Sequence, residues 1–436
     1  MTYPARLVGC IAALFFVFAA PPALGQTDGE DDQEAQSVTL DEVLEEVEEE
    51  NEEWEITEAR IEQAQAARRE ARAELFPSVT ASADLIRYSE PLERAGEEIR
   101  PQYDWGTSGQ ITVALFDGAN YPLLSRSGEL LEATRAISRW QRQTVTFEAA
   151  QAFYILAAAE EQVDIAERAV ELREAQYERA QAMAEADLAV DLDVERADAQ
   201  VWEARQEVIE AEAQLGQADD SLASLMAREP ETTLRARVEE EAVESPPERA
   251  EIDNLETRPD FESFDHEIAA VEESKRAVWW SFLPTLELSA NTHYGPGRGF
   301  TEVQGFDWSL SLQASWLLYD GGARYAQIDQ FESQIREDRL EYEREMREAR
   351  VGIRDAHRRW RSAAAAVEVA EEQVEAAEAA YESARARFDQ GLDTNIDVIE
   401  ASESLFRAET SLNQRTFEAR IAAEEYRYLL GLIGQE

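Results

Sequence analysis

The sequence predicts a mainly α-helical fold with a small β part, in which one unit occurs twice. First, apolar side chains recur every three or four residues along one long stretch, which is the spacing of a helix face that packs on another helix. Second, the same stripe occurs earlier, 204 positions before its counterpart (163 against 367). Third, each copy contains two segments in which apolar and polar residues alternate, as in strands. The stripe comprises Val367, Ala370, Val374, Ala377, Tyr381, Ala384 and Phe388, and its earlier counterpart comprises Val163, Ala166, Val170, Tyr177 and Ala184.

The net charge argues against nucleic acid as a partner. The 436 residues include 93 acidic and 41 basic side chains, which gives a formal charge of −52 at pH 7. A charge of this sign repels phosphate backbones and anionic lipid surfaces. We therefore expect no binding to DNA or RNA.

Residues 1–25 have the pattern of a secretory signal peptide. Arg6 precedes an apolar run over residues 7–20, and two prolines and the small-residue sequence Ala23-Leu24-Gly25 follow it. Because this run is too short to remain in a bilayer as a spanning helix, we predict cleavage near Gly25 and export of the mature chain. Cys10 lies near the start of the apolar run, whereas a lipidated cysteine follows such a run, so lipidation is not expected. Residues 26–38 form an acidic N-terminal tail.

Residues 39–228 form the first repeat. Thr39 and Glu42 have the spacing of a capping box, which predicts a helix that starts there, breaks near Asn51 and stops at Pro77. Period-two alternation predicts strands at about 78–88 and 108–116. Beyond residue 120 helix breakers are almost absent, so we expect a helix on the order of 100 Å long, a tight reversal at 187–193 and a returning helix.

Residues 255–436 repeat these steps after a proline-containing linker at 229–254. A helix ends at Pro284, and strands are predicted at about 285–294 and 307–318. A second long helix reverses at 391–397, and the last helix runs to about Leu430. Helices this long with narrow apolar stripes pack side by side rather than around a compact core, so arranged about an axis they form a tube.

Each predicted strand is long enough to cross an outer membrane as part of a barrel. A barrel needs about ten tilted residues per strand and about eight strands or more, because unpaired edges are not tolerated in lipid. Four strands therefore require further copies of the chain. Aromatic residues crowd the strand ends, as in the interfacial girdle of a membrane barrel, and ordinary packing in a water-soluble sheet is the alternative. The girdle candidates are Trp105, Phe116, Trp308, Trp316 and Tyr319.

In the order and spacing of these parts the chain resembles the TolC-like outer-membrane efflux channels over nearly all of its mature length. The resemblance rests on the duplicated plan and on motifs that flank the strands and the reversals. These motifs are Leu75-Phe76-Pro77-Ser78, Phe282-Leu283-Pro284-Thr285, Leu115-Phe116-Asp117-Gly118, Leu318-Tyr319-Asp320-Gly321-Gly322, Asp193-Val194, and Gly391 with Asp397-Val398.

The resemblance implies a homotrimer whose twelve strands form one transmembrane β-barrel in outer-membrane lipid and whose helices form a periplasmic α-helical tunnel. It implies a passive exit duct of a tripartite efflux or type I secretion system. Such a duct docks a periplasmic adaptor (membrane fusion) protein and, through it, an inner-membrane transporter of the resistance-nodulation-division (RND) or ATP-binding-cassette (ABC) type. The cargo stays open among drugs, metal ions and secreted proteins. The alternative is a periplasmic coiled-coil adaptor or scaffold without a membrane barrel.

The resemblance also implies a gate at the helical end. Acidic residues of such channels face the periplasmic mouth, and Asp397 and Glu400 hold the matching positions, where three-fold symmetry gives a cation-selective ring. The alternative is that they are two further acids of an acid-rich chain. At the position of the family's basic latch residue this chain has Asp393, with Asp191 and Asp193 on the facing reversal. The closed mouth is therefore expected to be held by cations that bridge the acids or by apolar packing. The candidates for packing are Leu188, Leu192, Leu392 and Ile396.

Enzymatic chemistry is not expected. The three histidines, His266, His293 and His357, are scattered and lack metal-ligand spacing. The glycine-rich segment 295–299 joins two predicted strands rather than entering a helix, which is typical of a hairpin loop and not of a phosphate-binding loop. We expect neither a cofactor nor a metal site.

Overall fold

The computed structural model describes residues 36–94, 97–100, 102–186, 190–229, 233–238, 243–250, 255–295, 305–390 and 392–433. Within these ranges the chain forms eight strands and seven α-helices. The strands are β1 (Gln36–Val38), β2 (Ser78–Arg87), β3 (Leu92–Arg94), β4 (Glu97–Arg100), β5 (Tyr103–Phe116), β6 (Leu234–Ala236), β7 (Thr285–Gly295) and β8 (Gly305–Ser315). The helices are α1 (Leu40–Glu50), α2 (Glu52–Ala73), α3 (Asn120–Glu185), α4 (Asp191–Leu225), α5 (Pro259–Trp280), α6 (Ala323–Asp389) and α7 (Asn395–Leu430).

This architecture confirms the predicted fold class, a mainly helical chain with a small β part and two copies of one unit. Each copy places two long strands between a shorter helix and a long helical hairpin: β2 and β5 before α3 and α4, and β7 and β8 before α6 and α7. The helices α3 and α6 contain 66 and 67 residues, so each is roughly 100 Å long. No helix in the described ranges combines the length and the apolar character that spanning a bilayer requires.

Side-chain caps explain where α1 and α2 begin. The Thr39 side chain accepts the backbone N–H of Glu42, whose carboxylate accepts the N–H of Thr39 at 2.8 Å, so the capping box forms. Asn51 divides α1 from α2, because its Oδ1 accepts the N–H of Glu53 at 2.9 Å and its Nδ2 donates to the Leu225 carbonyl at 2.8 Å. The second bond also fixes α2 against the end of α4.

The strands β2, β5, β7 and β8 form one antiparallel sheet in that order. Directly paired residues share a face, so the register separates an apolar face from a polar one. Leu115 is the extra residue of a bulge, which brings Phe116 opposite Leu286. The apolar face carries Val79, Ala81, Ala83, Leu85, Trp105, Ile111, Val113, Leu286, Leu288, Ala290, Tyr294, Phe306, Trp308, Leu310, Leu312 and Ala314. The polar face carries Ser78, Thr80, Ser82, Asp84, Ser108, Gln110, Thr112, Glu287, Ser289, Asn291, His293, Asp307, Ser309, Ser311 and Gln313.

Two strands have bounds that differ from those expected at 108–116 and 307–318. β5 begins at Tyr103, because β2 pairs along its whole length and Tyr103 lies opposite Arg87. β8 ends at Ser315, because the next residues bond elsewhere. The indole N–H of Trp316 donates to the Phe282 carbonyl at 3.0 Å, and the Leu317 carbonyl accepts from the Arg324 guanidinium at 2.8 Å.

The acidic tail and the linker, for which no regular structure was expected at 26–38 and 229–254, each contribute a strand. β1 pairs in parallel with β6, Gln36 opposite Leu234 and Val38 opposite Ala236. Val38 and Leu234 are buried in a core cluster with Val43 and residues of α3 and α4. Burial of these two side chains, rather than any local pattern, selects the strand conformation, and three residues are too few to show a period of two in the sequence.

The four helices of the hairpins form a wall in the order α4, α3, α7, α6, with α2 and α5 packed against α3. On one side this wall is covered by the belt, which we define as β1, α1, β6 and residues 243–250. The His357 imidazole N–H donates to the Pro247 carbonyl at 2.7 Å and joins the belt to α6. Small alanines fill much of the contact between helices and allow close approach.

The apolar stripe of α6 is buried largely as predicted, whereas that of α3 is shifted. Val367, Ala370, Ala377, Tyr381 and Phe388 are buried, and Val374 and Ala384 are half-buried. In α3 only Ala166 of the predicted stripe is buried, and the other four members are half-buried. The fully buried residues there are Ile165, Ala166, Ala169, Arg173, Gln176 and Ala180. The face of α3 therefore rotates, because α3 packs on both α4 and α7 whereas α6 packs mainly on α7.

Candidate membrane surface and tunnel tip

The apolar face of the sheet is most exposed along its outer strands β2 and β8, whereas Leu286, Leu288 and Ala290 of β7 are half-buried. Trp308 and Leu310 keep 67% and 63% of their surfaces accessible, and Phe306 and Leu312 are equally open. An exposed apolar surface of this extent, on strands of ten to fourteen residues, fits contact with hydrocarbon rather than with water. The sheet therefore has one face suited to contact with lipid.

The girdle candidates lie at both ends of this face. Trp105 and Trp308 occupy the end remote from the helices, where Trp105 meets Tyr294 edge to face with ring centroids 5.7 Å apart. Trp316 and Tyr319 follow β8 at the helical end, and both are exposed. Phe116 is half-buried opposite Leu286 at the same end. The girdle thus remains a prediction, with aromatic candidates at both ends of the face and aliphatic residues between them.

The polar face carries hydroxyl and amide groups along its middle. Ser82 and Ser108 form a hydroxyl pair at 2.7 Å, as do Ser289 and Ser311. Ionisable side chains on this face sit at its ends: Asp84, His293 and Asp307 remote from the helices, and Glu287 near them. Such a face suits contact with water rather than with lipid.

The junction between β8 and α6 contains a buried arginine that the sequence reasoning missed. The Arg324 guanidinium donates to Asp320 Oδ2 at 2.7 Å and to the carbonyls of Ser281 and Leu317 at 2.9 and 2.8 Å, and it lies 4.2 Å from the Phe282 ring centroid. Its hydrogen bonds hold the pKa of Asp320 below the usual range. The only signal in the sequence is the spacing of four between acid and arginine, and the duplication does not reveal it, because the first copy has no basic residue at the matching place.

Polar contacts inside one chain tie the two hairpins together near the reversals. Asn395, only 2% exposed, accepts from Gln176 Nε2 on α3 at 3.2 Å and donates to the Asp193 carbonyl on α4 at 3.2 Å. Arg179 on α3 forms an ion pair with Asp389 on α6 at 3.3 Å. These residues were not predicted, because amides and arginines in long helices are ordinary surface residues until packing buries them.

The predicted gate acids have different surroundings. Asp397 is exposed, and its carboxylate accepts the N–H and hydroxyl of Thr394 at 2.8 and 2.6 Å, which lowers its pKa. Asp393 accepts two bonds from the Arg387 guanidinium, at 2.8 and 2.9 Å, so it has a partner within its own hairpin. Glu400 and Asp191 are exposed, and Asp193 lies 4.0 Å from Arg196. Asp397 and Glu400 are therefore both exposed, although the Asp397 carboxylate also caps the start of α7.

Three of the four predicted packing residues do not pack within one chain. Leu192, Leu392 and Ile396 are exposed, and Leu188 lies outside the described residues. The interior of the tip is instead filled by Tyr381, Phe388 and Val398. Any closure by the three exposed leucine and isoleucine side chains must therefore come from contact between copies.

A metal site is absent from the part of the chain that the structure describes. No group of three or more histidine, cysteine or carboxylate side chains there is arranged to hold an ion. His293 lies opposite Asp307, His266 bonds Glu129 at 2.8 Å and His357 bonds the belt, so the histidines remain apart.

A sheet with one exposed apolar face, joined to a wall of long helices, is the architecture of an outer-membrane efflux channel. The sequence profile described as outer membrane efflux protein matches residues 43–228 and 253–432, so the chain belongs to this family. Its function is that of the outer-membrane channel component of an efflux system. The family is one of channels and not of enzymes, and its members work in tripartite pumps with an adaptor and an inner-membrane transporter.

Named relatives and solved structures agree with this assignment. The probable efflux pump outer membrane protein TtgC of Pseudomonas putida is 23% identical over 353 residues, covering 78% of this chain and 72% of the relative. The solvent efflux pump outer membrane protein SrpC of Pseudomonas putida is 23% identical over 375 residues, covering 84% and 79%.

The fold is shared with solved outer-membrane channels. The outer-membrane channel OprN superposes with a TM-score of 0.77 at 22% identity, covering 90% of this chain and 89% of that one. CusC gives 0.79 at 18%, covering 94% and 95%, and VceC of Vibrio cholerae gives 0.74 at 20%, covering 90% and 96%.

Proposed function

We propose that three copies of the chain close into one twelve-stranded barrel and one helical tunnel, which together form a passive exit duct. The observation that carries this proposal is the four-stranded sheet with one exposed apolar face, joined directly to helices of 66 and 67 residues. A sheet with unpaired edges is not stable in lipid, so the edges must meet those of other copies.

The directions of the edge strands support this closure. β2 and β8 are the outer strands, and within the described residues neither pairs with a further strand on its outer side. Since all three pairings are antiparallel, β2 and β8 run in opposite directions. Strand β8 of one copy can therefore pair in the antiparallel direction with strand β2 of the next copy. A closed antiparallel barrel with an even number of strands requires this pairing.

The tip and the relatives support a proposal for partners and cargo. In the proposed trimer, the exposed Leu192, Leu392 and Ile396 and the carboxylates of Asp397 and Glu400 contact neighbouring copies at the mouth, where a ring of acids favours cations. An adaptor docked there would connect the duct to an RND or ABC transporter. The relatives are named as antibiotic, toluene and solvent efflux pump proteins, so we propose small organic molecules as cargo rather than metal ions or proteins. We also propose that the chain is exported and cleaved near Gly25. Its two repeats would comprise residues 39–228 and 255–436, joined by the linker at 229–254.

A matched pair of substitutions on β8 tests the membrane assignment. Leu310→Arg places a charge on the apolar face and Ser309→Arg places the same charge on the polar face. An arginine facing lipid near the midplane costs about 2–4 kcal/mol per copy. We expect Leu310→Arg to abolish outer-membrane assembly, and Ser309→Arg to form channels with changed ion selectivity. The readouts are native mass spectrometry of the purified oligomer and conductance in planar bilayers. A water-soluble monomer, or equal behaviour of the two variants, would refute the proposal.

A further inference from the structure

The wall of four helices contains a groove of about 850 Å³ on one face. It is bordered by α3 and α7 in the middle and by α4 and α6 at the sides, about halfway along α3 and α6 and near the C-terminal end of α4. This volume lies within the roughly 300–1,000 Å³ of sites for drug-sized molecules.

The groove faces away from the belt. On α3 the belt covers Val145, Ala149 and Phe153, whereas the groove is lined by Phe147 and Gln151. At 100° per residue these two sets lie on roughly opposite sides of the helix. The same holds for α7, where Ala419 packs towards residue 243 and Phe417 and Ile421 line the groove. We place the belt on the outside of the proposed trimer, where it leaves the tunnel clear, so the groove opens into the tunnel.

The lining of the groove is nearly neutral in a chain of formal charge −52. Only Arg359, Glu418 and Glu425 are charged among its residues, and each has an opposite partner. Arg359 pairs with Glu425 at 2.7 Å, and Arg415 pairs with Glu418 at 2.8 Å. The remaining polar residues are Ser221 and six carboxamides, Gln151, Gln162, Gln214, Gln217, Asn413 and Gln414.

Asn413 leaves an acceptor without a partner beside the groove. It is buried, and its Nδ2 donates to the Ala158 carbonyl at 2.8 Å. Its Oδ1 is also buried and has no hydrogen-bond partner in the described part of the chain. A buried acceptor left unpaired destabilises the fold, so a donor that reaches it gains a hydrogen bond at little cost.

We propose that this groove is a cargo-contact site for uncharged aromatic molecules that carry a hydrogen-bond donor. The rings of Phe147 and Phe417 and the side chains of Ile155 and Ile421 offer apolar contact. The surrounding amides, which can donate and accept, satisfy polar substituents without requiring a charge. An anionic molecule finds no unpaired cation there. The site rests on the proposed tunnel, because only a closed duct brings cargo past this face.

The test uses two naphthalene dyes that differ chiefly in charge. N-phenyl-1-naphthylamine is uncharged and carries one N–H donor, and 8-anilinonaphthalene-1-sulfonate has the same ring system with a negative charge. The double variant Gln217→Glu, Gln414→Glu adds two carboxylates to the groove at exposed positions, where the fold tolerates them. Gln63→Glu adds a carboxylate at an exposed position of α2 outside the groove and serves as the control.

Each purified full-length protein is placed in a planar bilayer, and the dye is added on the side of the helices. We expect N-phenyl-1-naphthylamine to interrupt the ion current of the unaltered protein and of Gln63→Glu. We expect roughly tenfold weaker block of the double variant, because an apolar ring must displace water from a carboxylate there. The sulfonate should block none of them. If both dyes block equally, or if the double variant and Gln63→Glu are blocked equally, the proposed site is refuted, although the conductance still supports the duct. If no conductance is seen at all, the proposed function itself is refuted.

Discussion

Glu160 on α3 should make the attachment of the belt depend on pH. Both of its carboxylate oxygens lie 3.2 Å from the Ala236 nitrogen, and Asp219 on α4 accepts the N–H of Leu234 at 3.0 Å. Burial of the charged form raises the pKa of Glu160 from 4.5 to about 7, although the bond from Ala236 and the charge of Arg235 oppose the rise. Burial raises the pKa of Asp219 as well. Two acids whose pKa values are raised by burial thus hold β6.

The sign and size of the effect follow from this shift. The folded state binds the proton more tightly than the unfolded state, so the contribution is fully favourable below pH 4.5 and is lost as the pH rises to about 7. A shift of this size corresponds to roughly 3 kcal/mol for a fully buried group. Because Glu160 is only half-buried, water screens its charge, and we expect about 1–2 kcal/mol. That is roughly a tenfold change in the population of the opened belt.

Hydrogen exchange of the β6 amides measures this opening directly. After correction for the intrinsic exchange rate, protection at residues 234–236 should fall about tenfold between pH 5 and pH 8. Glu160→Gln keeps an acceptor for Ala236 without the charge, so its protection should vary much less with pH, with Asp219 alone still titrating, and should exceed that of the unaltered protein at pH 8. Glu167→Gln, at an exposed position of the same helix, is the control. An unchanged pH dependence in Glu160→Gln would refute the reasoning.

Three further outcomes are expected. Asp397→Asn with Glu400→Gln should reduce the preference for cations in reversal-potential measurements, and an unchanged preference would contradict a ring of carboxylates. Asn395→Ala removes both bonds that tie α7 to α3 and α4. The tip should become looser and the single-channel conductance should rise, whereas an unchanged conductance would contradict a role of these bonds in closing the tip. Arg324→Lys loses the bonds of a fork-shaped guanidinium and should destabilise the chain by about 2–4 kcal/mol in thermal melts, whereas Arg336→Lys at an exposed position should not.

The features of the fold that depend on regular repetition were predictable from the sequence. The stripe of α6 and the alternation of β2 and β7 persist over ten residues or more, so each element contains its own signal. β1 and β6 have three residues each, and distant burial alone decides their conformation. The shifted face of α3 has a related cause. A helix with neighbours on two sides has two partial apolar stripes, and the period of the sequence does not show which of them is buried.

At the tip, prediction from the sequence was limited for a second reason. The positions of Asp397 and Glu400 followed from the resemblance, but the bonds from Arg387 to Asp393 and from Gln176 to Asn395 join residues that only the folded hairpins bring together. In a chain in which 31% of residues are charged, one more arginine or amide carries no visible signal. Contacts of this kind depend on helix rotation, which packing between helices sets.

The outer strands β2 and β8 also determine how mixed populations of the protein behave. In the proposed trimer every copy pairs through β2 with one neighbour and through β8 with the other. One copy with a damaged outer strand therefore prevents the whole barrel from closing. A strain that produces intact subunits together with subunits damaged in β2 or β8 should therefore lose far more activity than the fraction of damaged subunits accounts for. Such mutations should be genetically dominant.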